Sequence, residues 1–180
     1  MQFEPTKIPD VVLIRPRVFG DNRGFFLESW EERKFAAAGI DVRFVQDNHS
    51  RSSRHTLRGL HWQSPNTQGK LVRVVNGSVF DVAVDIRRSS ATFGQWVGVT
   101  LTAENHEMLW VPAGFAHGFR VVSDTAHVAY KTTDFYAPEH ERTVAWNDPS
   151  LGIDWQLEGD PIVSSKDQRG KKFSECETFR

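Results

Sequence analysis

Cysteine is all but missing from this chain of 180 residues, in which Cys176 stands alone. A single thiol excludes an intrachain disulfide and the multi-cysteine zinc sites, and it fits a reducing compartment, so a cytoplasmic location is expected. The polar tail from Lys171 onward reads as frayed, with no structural part for the thiol. An excess of charge of one sign is also lacking, since 22 basic and 23 acidic residues leave a net charge of −1. A nucleic-acid binder would usually be basic, so no nucleic-acid partner is expected. No apolar run approaches the about 18 residues of a membrane span, and Met1 to Asp10 has no apolar signal-peptide core, so no membrane association is expected either. The sequons at Asn48 and Asn76 are accordingly read as structural.

Repeats, low-complexity blocks and Pro/Gly/Ser linkers are absent too, which predicts one domain over residues 1–180. With 13 Phe and 6 Trp, the composition is that of a packed globule. One helix is predicted over Trp30 to Ala38, with Ser29 and Glu32 at capping-box spacing and Gly39 as its left-handed cap. Strand signals then follow one another at Leu57–Gln63, Leu71–Val75, Ser78–Ile86, Gln95–Leu101, Met108–Val111, Ala116–Val122 and Ala126–Thr133. About ten strands are expected in all. Asn76-Gly77 reads as a type I′ hairpin turn, and the stretch after Thr133 as an irregular wrap over the sheets. Short strands without intervening helices imply an all-β antiparallel sandwich or barrel, and a jelly roll suits the length.

Among chemical motifs, Gly-x-Gly-x-x-Gly, the Walker loop, Gly-x-Ser-x-Gly and His-Glu-x-x-His are all missing, which removes the usual support for nicotinamide, ATP-driven and zinc-protease chemistry. What stands out instead is polar residues inside apolar strands: Arg58, His61, Lys70, His117 and Tyr130. A charged group in such a run needs a partner or a cavity. Each has a plain structural reading as well: a hydrogen-bonded histidine, a surface arginine, an edge lysine, a core tyrosine. Residues 58 and 61 differ by three, so a regular strand would point them to opposite faces unless Gly59 marks a bulge. Pro112-x-Gly114-x-x-His117 resembles the second motif of cupins, but His61 is followed by Trp62 and Gln63, so the first motif is incomplete. Two histidines fall short of three protein ligands, and no metal is expected.

Taken in order, Gly20-Asp-Asn-Arg-Gly-Phe-Phe-Leu-Glu-Ser-Trp, Gln46-Asp-Asn-His-Ser, Leu57-Arg-Gly-Leu-His-Trp-Gln, Lys70-Leu-Val-Arg-Val-Val, Val111-Pro-Ala-Gly-Phe-Ala-His-Gly-Phe, Tyr130-Lys-Thr-Thr-Asp-Phe-Tyr and Trp146-Asn-Asp-Pro closely resemble the dTDP-4-dehydrorhamnose 3,5-epimerase family, from about Asp10 to Asp167. The resemblance implies a cupin-type jelly roll without metal or other cofactor, working as a homodimer with shared sites. It also implies conversion of dTDP-4-dehydro-6-deoxy-D-glucose to dTDP-4-dehydro-L-rhamnose.

Carried over by motif, His61 resembles the general base, paired with Asp167, while Lys70 resembles the cation near the sugar's C4 oxygen and Tyr130 the acid on the opposite face. His117, Glu141 and Lys166 match substrate-binding positions. Arg23, Glu28, Gln46, Asn48 and Arg58 match positions that hold the nucleotide and diphosphate, with Arg23 and Glu28 expected from the partner chain. Tyr136, or Phe135 beside it, matches the base-stacking aromatic, and Trp62 stands where Tyr is more familiar. Rival readings are an epimerase of C3 or C5 alone on the same scaffold and a non-catalytic carbohydrate-binding jelly roll. The joint presence of an imidazole–carboxylate pair, a cation and a phenol favours enolisation over binding alone.

Overall fold

A computed structural model describes residues 1–179. In chain order the strands are β1 (Gln2–Pro5), β2 (Val12–Arg15), β3 (Val18–Asp21) and β4 (Gly24–Leu27), followed by helix α1 (Glu32–Ala37). Then come β5 (Gln46–Ser53), β6 (Thr56–Gln63), β7 (Lys70–Asn76), β8 (Ser78–Asp85), β9 (Trp96–Thr102), β10 (Met108–Val111), β11 (Phe115–Val121) and β12 (Thr125–Thr132). Short strands β13 (Glu141–Thr143) and β14 (Ile162–Val163) and a one-turn helix α2 (Ser165–Gln168) complete the set.

Two sheets carry the fold, one ordered β1-β2-β10-β7-β12-β5 and the other β13-β6-β11-β8-β9, with β14 beside β6. This is the antiparallel double-sheet jelly roll expected, with β14 the one parallel addition. Strand alternation builds three apolar clusters. Val72, Val74 and Val128 of the first sheet meet Phe115, Phe119 and Val121 of the second between the layers. Leu71, on the opposite face of β7, joins Phe35 of α1 and Trp110 outside the first sheet. On the outer face of the second sheet, Leu57, Leu60, Val82 and Val84 lie under Val144, Leu151 and Trp155 of the C-terminal wrap.

Several expectations are corrected. The helix begins at Glu32 rather than Trp30, because Glu31 and not Ser29 caps it: the Glu31 carboxylate accepts the backbone N–H groups of Arg33 and Lys34. Gly39, at φ +85°, does take the left-handed position. Asn76-Gly77 is not a hairpin turn, since β7 and β8 belong to different sheets and the dipeptide forms a sandwich corner. Only Gly77 of the two has positive φ (+73°), and a Cβ there would lie 2.0 Å from the Thr125 carbonyl oxygen. The wrap after Thr133 is less irregular than its sequence suggests, because β13 and β14 both add to β6.

The tail is not frayed over its described residues. Lys171 bridges to Val144, the Phe173 N–H donates to Asp148 (2.8 Å), and the Phe179 N–H donates to the Ile86 carbonyl (3.0 Å). Cys176 is buried in the outer apolar cluster, and burial pushes its thiol up to about 11 against the opposing pull of Lys171. The native protein is therefore expected to react with a disulfide reagent far more slowly than a free thiol does, and to react fully once unfolded by guanidinium. Labelling of the native chain at the free-thiol rate would show that the tail does not dock.

Candidate active site

Antiparallel register places the central histidines. His61 on β6 lies directly opposite His117 on β11, but Arg58 lies opposite Phe119, so three steps of β6 match two of β11. β6 therefore carries one extra residue, a bulge at Gly59–Leu60. Gly59 has φ +126°, and a Cβ on it would stand 2.6 Å from the Gly118 Cα, so two glycine backbones make this approach possible. The bulge turns Arg58 and His61 to one face, where both line a cavity of about 600 Å³ between the sheets.

His61 Nε2 donates to Oδ1 of Asp167, which α2 presents after Ser164 caps the helix by accepting the Asp167 N–H (3.1 Å). Burial raises the Asp167 carboxyl, but the hydrogen bonds from His61, Ser164 and the Gly59 backbone outweigh it and hold the group below its ordinary range. Asp167 is thus an ionised group behind a half-buried imidazole that faces the cavity.

Lys70, at the start of β7, is only 8% exposed. Among the described residues its Nζ reaches no nearer partner than the Gln68 carbonyl at 3.5 Å, and burial pushes its ammonium down to about 8 despite the opposing pull of Glu141. Tyr130 enters from β12 on the other sheet. Burial raises its phenol above the ordinary range, with Arg58 opposing, so the hydroxyl keeps its proton at neutral pH. The cavity therefore holds an imidazole–carboxylate pair on one sheet, a phenol on the other and a poorly paired ammonium. A base, a proton donor and a cation around one cavity can enolise a bound ketone.

The rim carries further expected residues. Glu141 accepts from Tyr136 Oη (3.2 Å) and from Lys166 Nζ (2.7 Å), tying together two sides of the opening. Tyr136 lines the cavity and Phe135 does not, which separates the two aromatics. Arg58 Nε donates to Ser52 Oγ (3.0 Å). Gln46 and Asn48 flank the cavity without lining it: the Gln46 side chain accepts the Tyr136 N–H (3.0 Å) and donates to Asn48 (3.0 Å). Trp62 lies buried at one edge with no partner for its indole N–H among the described residues.

Arg23 and Glu28 are not brought to this cavity. Arg23 is bound to Asp21 (2.6 Å) on the exposed β3–β4 hairpin, and Glu28 accepts from Lys34 (2.6 Å). Asp81 is a residue that the sequence reading passed over: wholly buried, it sits against His117. Its signal was present, a lone carboxylate in the apolar run Val79-Phe80-Asp81-Val82-Ala83-Val84. Among the described residues no three histidine, cysteine or acidic side chains converge as a metal site would require.

Comparison with known proteins places the whole chain. The dTDP-4-dehydrorhamnose 3,5-epimerase of Pseudomonas aeruginosa is 62% identical over 173 residues, 96% of each chain, and that of Shigella flexneri is 56% identical over 97% of each. The crystal structure of a dTDP-6-deoxy-D-glucose-3,5-epimerase from Legionella pneumophila with dTDP-4-keto-L-rhamnose matches with a TM-score of 0.97 at 50% identity, covering 99% of this chain and 97% of that one. A 3′-monoepimerase from Streptomyces bikiniensis, solved with dTDP-quinovose, matches at 0.89 and 33% identity, over 95% and 87% of the two chains. A family model described as dTDP-4-dehydrorhamnose 3,5-epimerase spans residues 5–175. With high identity along nearly its whole length, the chain belongs to the dTDP-4-dehydrorhamnose 3,5-epimerase family.

Proposed function

We propose that this chain inverts C3 and C5 of dTDP-4-dehydro-6-deoxy-D-glucose to give dTDP-4-dehydro-L-rhamnose, acting in the cytoplasm where nucleotide sugars are handled. The observation that carries this reading is the opposition of His61, backed by Asp167, and Tyr130 on the other sheet across one cavity. Inversion needs two faces, because a proton returned from the abstracting side restores the original configuration. His61 takes the proton next to the ketone, Asp167 balances the imidazolium, Lys70 meets the negative charge on the C4 oxygen, and Tyr130 supplies the new proton. His117, Glu141 and Lys166 contact the sugar end. The exchange moves protons only and calls for neither a metal nor a redox cofactor.

At the nucleotide end Arg58 is suited to the diphosphate by its forked guanidinium, Tyr136 to stacking on thymine, and Gln46 and Asn48 to the nucleoside. Arg23 and Glu28 of a second copy complete the site in a homodimer. Support for this lies in the β3–β4 hairpin, which carries both residues near exposed Phe25 (63%) and Phe26 (69%), apolar surface of the kind a partner covers.

In deuterated water the protein is expected to place deuterium at both C3 and C5, read by NMR. His61→Ala should slow both exchanges by about 10²–10⁴-fold, whereas Tyr130→Phe should keep wash-in while inversion falls further. Label at one carbon alone would make the chain a mono-epimerase, and retained exchange without His61 would remove that residue from the role.

Lys70 gives a pH dependence. Activity is expected to decline as the pH rises through about 8, where the ammonium is lost. Its native pKa lies below the ordinary 10.5, so between about 8 and 10.5 the unfolded chain binds more protons and this group's contribution to stability rises with pH. Below about 8 it is a constant burden, so Lys70→Met should raise the melting temperature while lowering kcat by about 10²-fold or more. A variant less stable than wild type at neutral pH would contradict this.

Shared sites predict complementation. Arg23→Ala and His61→Ala chains, each weak alone, should regain activity on mixing, because a hybrid dimer holds one site with both groups intact. Hybrid dimers that form and stay inactive would contradict cross-chain sharing.

A further inference from the structure

Two carboxylates of β8, Asp81 and Asp85, are wholly buried. Asp85 is saturated by the Arg87 guanidinium (2.7 Å) and the hydroxyls of Ser90 and Thr92 (both 2.6 Å), which tie down the loop that follows. Asp81 has one partner among the described residues: His117, whose Nε2 lies 2.8 Å and 3.0 Å from its two oxygens. Asp81 is opposite Phe119 in the β8–β11 register, so it lies diagonally behind His117 on the inward face. His117 lines the cavity and Asp81 does not. The cavity thus has two imidazoles on neighbouring strands, His61 opposite His117, each backed by its own buried carboxylate.

Packing alone does not call for the second pair. A carboxylate buried in an apolar strand with one neighbour is commonly matched or bettered in stability by an apolar residue of similar size. With Nε2–H committed to Asp81, the ring has a fixed orientation and only Nδ1 left to act. Among the described residues the ring's hydrogen bonds all run through Nε2, and none through Nδ1.

We infer that Asp81 is a positioning residue which holds the His117 ring with Nδ1–H directed into the cavity, as a second donor to the C4 oxygen when the enolate forms. This rests on the epimerase reading. The proton leaving carbon goes to His61, and none leaves His117: its Nδ1–H shares the enolate charge with Lys70 while Asp81 offsets the ring's own charge from behind. The other ionisable groups lining the same cavity are His61 with Asp167 behind it, Lys70 and Tyr130, together with Arg51, Arg58, Tyr136, Glu141 and Lys166 toward its rim. A donor anchored by a buried carboxylate supplements Lys70, whose ammonium is held by nothing closer than 3.5 Å among the described residues.

Asp81→Asn is the test, since the amide oxygen still accepts Nε2–H while the charge is removed. Its kcat, and C3 and C5 exchange with it, should fall about 10²-fold with KM near the wild-type value. In a His117→Gln background the same change should add no further loss. Wild-type kcat in Asp81→Asn, or an equal further loss without His117, would overturn the inference. Nitrogen-15 NMR of the unmodified protein is a check that needs no variant: His117 should show both ring nitrogens protonated, and a bare Nδ1 or Nε2 would overturn it. A wild-type protein that exchanges neither carbon sinks the epimerase reading and this inference with it. Normal wild-type exchange beside an unaffected Asp81→Asn variant sinks this inference alone.

Discussion

The contact between the backbones of Gly59 and Gly118 governs the geometry of the site. Strands β6 and β11 close on one another there to a distance that no side chain tolerates, with a Cβ on either glycine falling 2.6 Å from main-chain atoms of the other strand. The extra residue this approach accommodates reverses the facing of β6 beyond it. Arg58 and His61 then share the cavity, while Leu60 is left to the outer apolar cluster and Leu57 and Trp62 pack into that cluster at the cavity's edge. One local irregularity thus sets the facing of both His61 and Arg58.

Around this point the interior carries more charge than a stable core needs. Asp81 and Asp167 are each buried against a histidine, and Lys70 is buried with only a distant carbonyl. Such groups weaken a fold unless compensated, and two well-packed apolar clusters flank the cavity, one between the sheets and one beneath the C-terminal wrap. Around the cavity these charged groups serve the site, whereas the other buried carboxylate of β8, Asp85, is fully matched by Arg87, Ser90 and Thr92.

Much of this was legible in the sequence, for identifiable reasons. Strands β6 to β12 were found within a residue or so because period-two apolar residues mark them. Strand β5 was not, because Gln46–Ser53 turns polar side chains toward the cavity and leaves no apolar alternation to read. Asn76-Gly77 has good local turn chemistry, but local chemistry does not say which sheet the next strand joins. At the site, Arg58, His61, Lys70, His117 and Tyr130 stood out as polar residues in apolar strands. Asp167, Glu141 and Lys166 lie in segments with no such contrast, and only the family motifs pointed to them. Asp81 had the contrast and was passed over, its partner being visible only once β8 and β11 are side by side.

The separation along the chain between His61 and Asp167 has a consequence for biosynthesis. The carboxylate lies 106 residues after the imidazole it serves and reaches it only when the wrap has docked α2 beside β6. During synthesis on the ribosome most of the jelly roll can pair before Asp167 has been added. The imidazole then waits without its carboxylate until the wrap has docked. The base and its carboxylate are thus assembled last, and the segment that completes the catalytic pair is the same one that covers the outer apolar face of the second sheet.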